Sequence, residues 1–362
     1  MKLTVNTKEL KKALELHKKI KSKATPILNG IRLKEQSDNS TLELYNTDLE
    51  FSLKSTIEAV VDTPGEALIP LKNLENIVKN TDAKEISLEL LDDKVKLGAV
   101  SLNTLSLEEF PIYPEVTGKS TIVDSELFFN ALTKLYDCVS RDETRNPILA
   151  GYCLNTKDNE IVATDSYRLG VAKFAFPDTI EMETGGNLII PLKVYDILKK
   201  VPREVMTITT DKEAIAFKVG NIELITRLLS GKFPSYQQLI PENQDINFEF
   251  EPEDLIKQLV KVEKVLFLNE YGMTVKLTFE TNSIKVSAEV KEIGSYEDQI
   301  VAVGTVETPE KSVQIAFNPS FMVQILKQFE GRVNLGITDE LRPVIIKQTE
   351  ELKFLLMPIR IS

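Results

Sequence analysis

Three short phrases occur twice in this 362-residue chain at a nearly constant separation. Pro26-Ile27-Leu28-Asn29-Gly30 returns as Pro147-Ile148-Leu149-Ala150-Gly151, and Ile69-Pro70-Leu71-Lys72 returns as Ile190-Pro191-Leu192-Lys193, both displaced by 121 residues. Phe110-Pro111-Ile112-Tyr113 returns as Phe233-Pro234-Ser235-Tyr236, displaced by 123. The chain holds almost three such periods, so one folding unit used three times is expected, with the third copy the most diverged. Such a period is too long for a solenoid repeat of roughly 20 to 50 residues and matches the size of an independent domain, so each unit can own a core. Function is then expected in the assembly of units more than in one catalytic cleft.

Each unit reads as an opening strand, a first helix, two or more strands, a second helix and closing strands. The first helices start after Asn6-Thr7, Asp124-Ser125 and Glu251-Pro252. Their apolar stripes are Leu10, Ala13, Leu14 and Ile20; Phe128, Ala131, Leu132, Leu135 and Val139; and Leu255, Leu259, Val262 and Leu266. Asn, Ser or Asp before a stripe supplies a side-chain oxygen to first-turn amides that lack a partner. The second helices carry Leu71, Leu74, Ile77 and Val78; Leu192, Ile197, Leu198 and Val201; and Phe321, Ile325, Leu326 and Phe329, the last set opened by Asn318-Pro319 as cap and first-turn proline. Aligned on Pro70, Pro191 and Asn318, these helices bring Lys79, Lys200 and Lys327 into register nine positions later, which predicts a lysine on one helical face in all three copies. Strands alternate over residues 86–90, 205–209 and 275–279, with Asp92-Asp93 and Asp211-Lys212 as tight turns, and linkers are expected near residues 117–120 and 242–245.

The apolar content of 42% and charged content of 27% are ordinary for a globular protein. No segment is apolar enough to span a bilayer, and Met1 to Val5 leads into a lysine-rich amphipathic stretch that does not read as a signal peptide, so no membrane partner is expected. Cys138 and Cys153 are the only thiols, which rules out a disulfide scaffold, suits a reducing cytoplasm and reads as two small core residues. A net charge of -11 argues on average against nucleic acid. The charge is segregated, however: seven lysines fall between Lys8 and Lys23 against Glu9 and Glu15 alone, while Asp and Glu dominate residues 245–254, which allows a locally positive surface. The single histidine, His17, has no second His or Cys at metal-binding spacing, and phosphate-cradling, dinucleotide, zinc-protease and nucleophile-elbow motifs are missing, so neither metal nor cofactor nor catalytic residue is expected. Thr164-Asp165 has a counterpart in Thr47-Asp48 and reads as a structural turn; only the following Ser166-Tyr167-Arg168-Leu169 is special to the middle copy. The apolar end Leu355-Leu356-Met357-Pro358-Ile359-Arg360 suits either core or an adaptable groove for peptides.

The order Pro26-Ile27-Leu28-x-Gly30, Ala163-Thr164-Asp165-x-x-Arg168-Leu169, Gly231-x-Phe233-Pro234-x-Tyr236, Ile240-Pro241 and Met357-Pro358-x-Arg360 resembles the bacterial sliding clamps, the beta subunits of DNA polymerase III, across the whole chain. The resemblance implies an α+β fold of three repeated DNA-clamp domains, expected at residues 1–118, 121–242 and 245–362. It implies a head-to-tail homodimer closed into a ring around duplex DNA, with helices lining the hole and antiparallel sheets outside, and a non-catalytic accessory subunit that confers processivity. Val100 and Leu102 of the first domain are expected to meet Leu266 and Phe267 of the partner's third. Sliding needs sequence-independent attraction to phosphates, for which Lys12, Lys19, Lys23, Lys79, Lys134, Lys200, Arg203, Lys261 and Lys327 are the candidates.

By the same resemblance, a groove between domains two and three receives peptides from the polymerase III catalytic subunit, the clamp loader, other polymerases and mismatch repair proteins. Its matching positions are Leu149, Thr164, Ser166, Tyr167, Arg168, Leu169, Pro241, Asn318, Phe321, Pro343, Leu355, Met357, Pro358 and Arg360. Tyr167 stands where the family commonly carries His, and the third repeat has lost Pro-Ile-Leu-x-Gly. Two other readings compete: a tandem-domain enzyme built on Asp and Lys, and a protein-binding scaffold that encircles nothing.

Overall fold

The computed structural model describes residues 1–22, 25–35, 40–177, 187–241, 243–266, 274–306 and 312–360. Among them one element order recurs three times: strand, helix, four strands, helix, three strands, with an extra two-residue strand Val303–Gly304 in the third copy. The first helices are α1 (Thr7–His17), α3 (Ser125–Leu135) and α5 (Pro252–Val265); the second helices are α2 (Leu71–Lys79), α4 (Leu192–Leu198) and α6 (Pro319–Leu326). Every strand pairing is antiparallel. Helix starts follow the capping chemistry: the Asn6 side chain accepts from the Lys8 and Glu9 amides, Asp124 from Leu127, and Asn318 from Ser320 and Phe321.

The repeated phrases recur because they pack on one another. Gly30 pairs with Pro70 and Ile31 with Ile69, just as Gly151 pairs with Pro191 and Tyr152 with Ile190. A Cβ on Gly151 would lie 2.3 Å from the Ile190 carbonyl oxygen, so only glycine admits this approach. Phe110 then packs on Leu28, Tyr45 and Leu68, and Phe233 with Tyr236 packs on Leu149 and Ile189. In each of the first two copies the first and third phrases therefore meet in one cluster, and the second phrase pairs with the first as a neighbouring strand.

Contacts divide the chain into two compact units, and the division passes through the middle repeat. The first unit holds residues 1–129, 176–185 and 193–228. In its 12-stranded sheet the strand Phe51–Thr63 of repeat one pairs with Ile222–Arg227, the last strand of repeat two, with Phe51 opposite Thr226. Its core is Leu3, Leu10, Leu14, Leu33, Leu44, Leu74, Val78 and Leu88 with their neighbours. The second unit holds residues 130–175, 186–192 and 229–362. Its nine-stranded sheet joins Arg168–Lys173 of repeat two to Leu352–Leu356, the last strand of repeat three, and a separate four-stranded sheet ends on Gly294–Val301. Strands of successive repeats thus share sheets, which is why compactness does not follow the sequence period.

The helices are shorter than their apolar stripes. Ile20, Val139, Val201, Leu266 and Phe329 are buried as expected but lie past the helix ends, in turns that fold back on the core. The common lysine face is corrected accordingly. Lys79 is the last residue of α2, Lys200 lies two residues beyond α4, and Lys327 is the C-cap of α6. All three are exposed at helix carboxyl ends, where a cation complements the negative pole of the peptide dipoles. The linker expected at 117–120 is also shorter, since the strand Lys119–Asp124 has already begun, and Glu242 of the other linker lies outside the described residues.

Candidate functional site

The turn at Thr164 to Arg168 is built by its own side chains. The Thr164 hydroxyl donates to the Arg168 carbonyl at 2.7 Å, and the Asp165 carboxylate accepts the amides of Tyr167 (3.0 Å) and Arg168 (2.9 Å). Ser166 takes a left-handed backbone, φ 76°, which throws Tyr167 outward to 52% exposure. Thr47-Asp48 repeats the device, with Asp48 accepting from Glu50 and Phe51 and Leu49 at φ 76°. The shared Thr-Asp is structural, and the residues that follow distinguish the two turns.

Arg168 is 8% exposed, and its charge is met on three sides. Nε donates to Asp165 at 2.9 Å, the guanidinium lies 4.3 Å from the Phe321 ring centre, and Nη1 donates to the Gln324 side chain. A buried cation costs several kcal/mol unless paired in this way. Phe321 and Gln324 sit on α6, whose first turn Asn318 caps, and the Tyr167 ring lies 6.2 Å from Phe321. On the chain end, the Met357 amide donates to the Tyr167 carbonyl at 2.9 Å and the Ile359 amide to Ala316 at 2.7 Å. Strand pairing sets Leu169 opposite Leu355, and both join Leu149, Val171, Ile345, Phe233 and Tyr236 in one apolar cluster edged by half-buried Ile148, Leu229 and Ile240.

The expected groove residues thus form two connected groups in the second unit: Leu149, Leu169 and Leu355 as an apolar floor, and Thr164, Ser166, Tyr167, Arg168, Asn318, Phe321 and Met357 around the turn and α6. Pro358 is half-buried between Met357 and Ile359. Pro241 follows Ile240 and Pro343 precedes the strand Val344–Thr349, and both are half-buried. Met357 and Arg360 are exposed. Gln324 went unnoticed in the sequence because a lone glutamine in a helix gives no signal of the arginine it anchors.

The matching turn of the first unit has different neighbours. Where Leu169 and Val171 stand in the second unit, it has Ser52 and Lys54. Lys54 pairs with Glu223 at 2.7 Å and lies 4.1 Å from the Tyr113 ring centre, and Tyr113 packs edge-on against Tyr45 at 5.1 Å. In the first unit polar pairing and two tyrosines thus stand where the second unit has part of an apolar cluster.

The cationic candidates divide by what they touch. Lys12, Lys79, Lys200 and Lys327 are exposed. Lys12 and Lys200 line a cleft of about 810 Å³ in the first unit together with Lys18, Lys19, Glu9, Glu15 and Glu58. Lys19 is half-buried and donates to the carbonyls of Asp196 and of Ile197 (3.1 Å); burial, then Lys199 and Lys200, hold its pKa below the usual lysine value. Lys134 donates to the Gln328 carbonyl at 2.6 Å. Arg203 donates to the Lys199 carbonyl at 3.0 Å and stacks 4.2 Å from the Phe129 ring centre. Lys261 is exposed, 3.6 Å from Asp298. Lys23 lies outside the described residues.

Of the expected dimer contacts, Val100 is 42% exposed and Leu102 is half-buried on Val100–Asn103, the end strand of the first unit's sheet. Leu266 is 2% exposed and packs inward in its own chain, and Phe267 lies outside the described residues. Both thiols are buried, and burial pushes Cys138 and Cys153 up to about 12, as core residues rather than nucleophiles require. Among the described residues no group of three or more His, Cys, Asp or Glu could hold a metal ion, and no helix is long and apolar enough to cross a membrane.

Repeated α+β units with continuous antiparallel sheets and helix-end lysines define a clamp-type fold, and solved structures agree. The Bacillus subtilis DNA polymerase sliding clamp superposes with a TM-score of 0.89 at 25% identity, covering 100% of both chains. The Helicobacter pylori beta clamp, solved bound to a DNA ligase peptide, gives 0.87 at 21% identity, again over 100% of both. The beta sliding clamp of Chlamydia muridarum is 28% identical over 374 aligned positions, spanning 100% of this chain and 99% of that protein. Models of the DNA polymerase III beta subunit match in order: the N-terminal domain at residues 1–114, the central domain at 122–235 and the C-terminal domain at 237–360. The chain belongs to the DNA polymerase III beta subunit family, the sliding clamps, whose members are non-catalytic processivity factors.

Proposed function

We propose that this chain encircles duplex DNA as a ring-shaped homodimer and tethers the replicative polymerase, the role its family performs. The observation that carries the reading is the ordered match of three clamp domains along the whole chain. Domain limits at 1–118, 121–242 and 245–362 suit the threefold element order. Such a role on DNA suits the cytoplasm.

Closure by a second copy is supported by the sheets. The third strand between the helices pairs with the last strand of the next repeat in both units: Phe51–Thr63 with Ile222–Arg227, and Arg168–Lys173 with Leu352–Leu356. The third such strand, Gly294–Val301, and the last strand of repeat one, Val100–Asn103, are each the end strand of a sheet. Edges without a strand partner among the described residues, with Val301 at 79% exposure, suit head-to-tail pairing between copies, with Val100 and Leu102 in the seam. Leu266 would support that seam from beneath.

Exposed Lys12, Lys79, Lys200 and Lys327 suit phosphate attraction without base reading. The groove around Tyr167, Arg168, Phe321, Leu355 and Met357 suits apolar peptide side chains, and Arg360 suits acidic peptide groups. Peptides of the polymerase, clamp loader, other polymerases and repair proteins are its occupants in this reading. Replacing Met357 and Arg360 together by Ala is expected to weaken a polymerase-derived peptide at least tenfold in calorimetry with the dimer intact; unchanged affinity would remove the groove assignment.

A further inference from the structure

In each unit a lysine from the first-helix region of one repeat reaches the carboxyl end of the second helix of the next. Lys19, two residues beyond α1, donates to Asp196 and Ile197 in the last turn of α4. Lys134, in the last turn of α3, donates to Gln328, two residues beyond α6. The physical cause is common to both. The last carbonyls of a helix have no intrahelical donor and form the negative pole of its dipole, so an ammonium group satisfies them and fixes the next repeat at that point.

One second helix and one first helix are left over. α2 belongs to the first of the three repeats, and no lysine of another repeat reaches its carboxyl end among the described residues. Lys11 of α1 serves the Thr81 carbonyl at 3.0 Å, but the carbonyls of Lys79 and Asn80 take no donor among the described residues. α5 belongs to the third of the three repeats. Lys134 lies ten positions after Asp124, as Lys261 lies ten after Glu251; Lys19 lies thirteen after Asn6, as Lys264 lies thirteen after Glu251. Thus α5 carries a lysine at both positions used elsewhere, and both are exposed. Lys261 rests beside Asp298 at 3.6 Å and over the Tyr296 ring at 5.3 Å.

We propose that Lys261 and Lys264 of one copy dock on the carboxyl end of α2 in a second copy, making the joint between chains a third instance of the joint within them. The inference rests on the closed-dimer reading and deepens it by naming a polar contact apart from the Val100 and Leu102 seam. It also moves Lys19, Lys134 and Lys261 from binding DNA to holding neighbouring repeats.

The test measures dimer dissociation of the full chain on dilution, by sedimentation. Lys261→Gln with Lys264→Gln is expected to raise the dissociation constant about tenfold, as loss of charge-assisted hydrogen bonds does. The arginine pair Lys261→Arg with Lys264→Arg is expected to restore it. Lys79→Glu, which adds a carboxylate at the receiving end, is expected to tighten the wild-type dimer and to lose that effect in the double glutamine variant. A dissociation constant within twofold of wild type in the double variant, with the wild type dimeric, overturns this inference alone. A wild-type chain that stays monomeric at micromolar concentration overturns the closed dimer as well.

Discussion

At the residue scale, His17 shows how little a side chain's neighbours in sequence reveal of its surroundings. It stands among lysines in α1, yet it is fully buried, with Nδ1 at 2.6 Å from the Asn46 side chain and Nε2 at 2.8 Å from the Ser55 hydroxyl. Asn46 also donates to the His17 and Ile20 carbonyls, which closes the turn after the helix. Burial, offset only in part by the Asn46 hydrogen bond, lowers its pKa to about 4. The folded pKa lies below the unfolded value of 6.5, so the full stability is present above pH 6.5 and is lost as the pH falls toward 4, where the unfolded chain takes up a proton that the fold excludes. Between pH 7 and pH 5 the loss should be about 2 kcal/mol, read from denaturant unfolding. His17→Gln should lack that increment; an equal loss in both proteins would mean that His17 is protonated in the fold. The Thr-Asp turns, by contrast, were legible, because their hydrogen bonds close within five residues and occur in two copies.

At the element scale, helix starts were legible and helix ends were not. A start is decided by a cap within three residues, as at Asn6, Asp124 and Asn318. An end is decided by where the chain must turn to bury the next apolar group: Ile20, Val201 and Phe329 all reach the core from a turn. The lysine register read from the sequence survives this shortening, but its meaning changes from a helical face to a set of helix ends. The Asn318 cap has a further task, since the first turn of α6 carries the Phe321 ring on which Arg168 rests. Asn318→Ala should lower the unfolding free energy by about 1 kcal/mol, and Asn318→Asp should leave it near wild type. A denaturation midpoint unchanged by alanine would mean that the cap hydrogen bonds contribute nothing.

At the scale of the whole molecule, sheets pass from repeat to repeat, and the strands Val100–Asn103 and Gly294–Val301 end their sheets among the described residues, which suits a function carried by an assembly. Charge reversal at Lys79, Lys200 and Lys327 together should shorten retention on circular DNA and reduce the salt slope of binding by about 2 to 3, since each phosphate contact contributes about 0.9. Retention and salt resistance equal to wild type would place those residues outside the channel. The sequence by itself determined the threefold repeat, the helix starts, the turns and the family, because these rest on local hydrogen bonding or on phrases repeated in order. Only the tertiary structure decided which lysines are exposed and which serve helix carbonyls, that Lys54 pairs with Glu223 beside Tyr113 and Tyr45 where the second unit has Leu169 and Val171 in an apolar cluster, and that the compact units cut across the repeats. Those outcomes depend on contacts between segments more than a hundred residues apart, such as Lys19 with Ile197 and Arg168 with Gln324, and no local pattern in the chain encodes them.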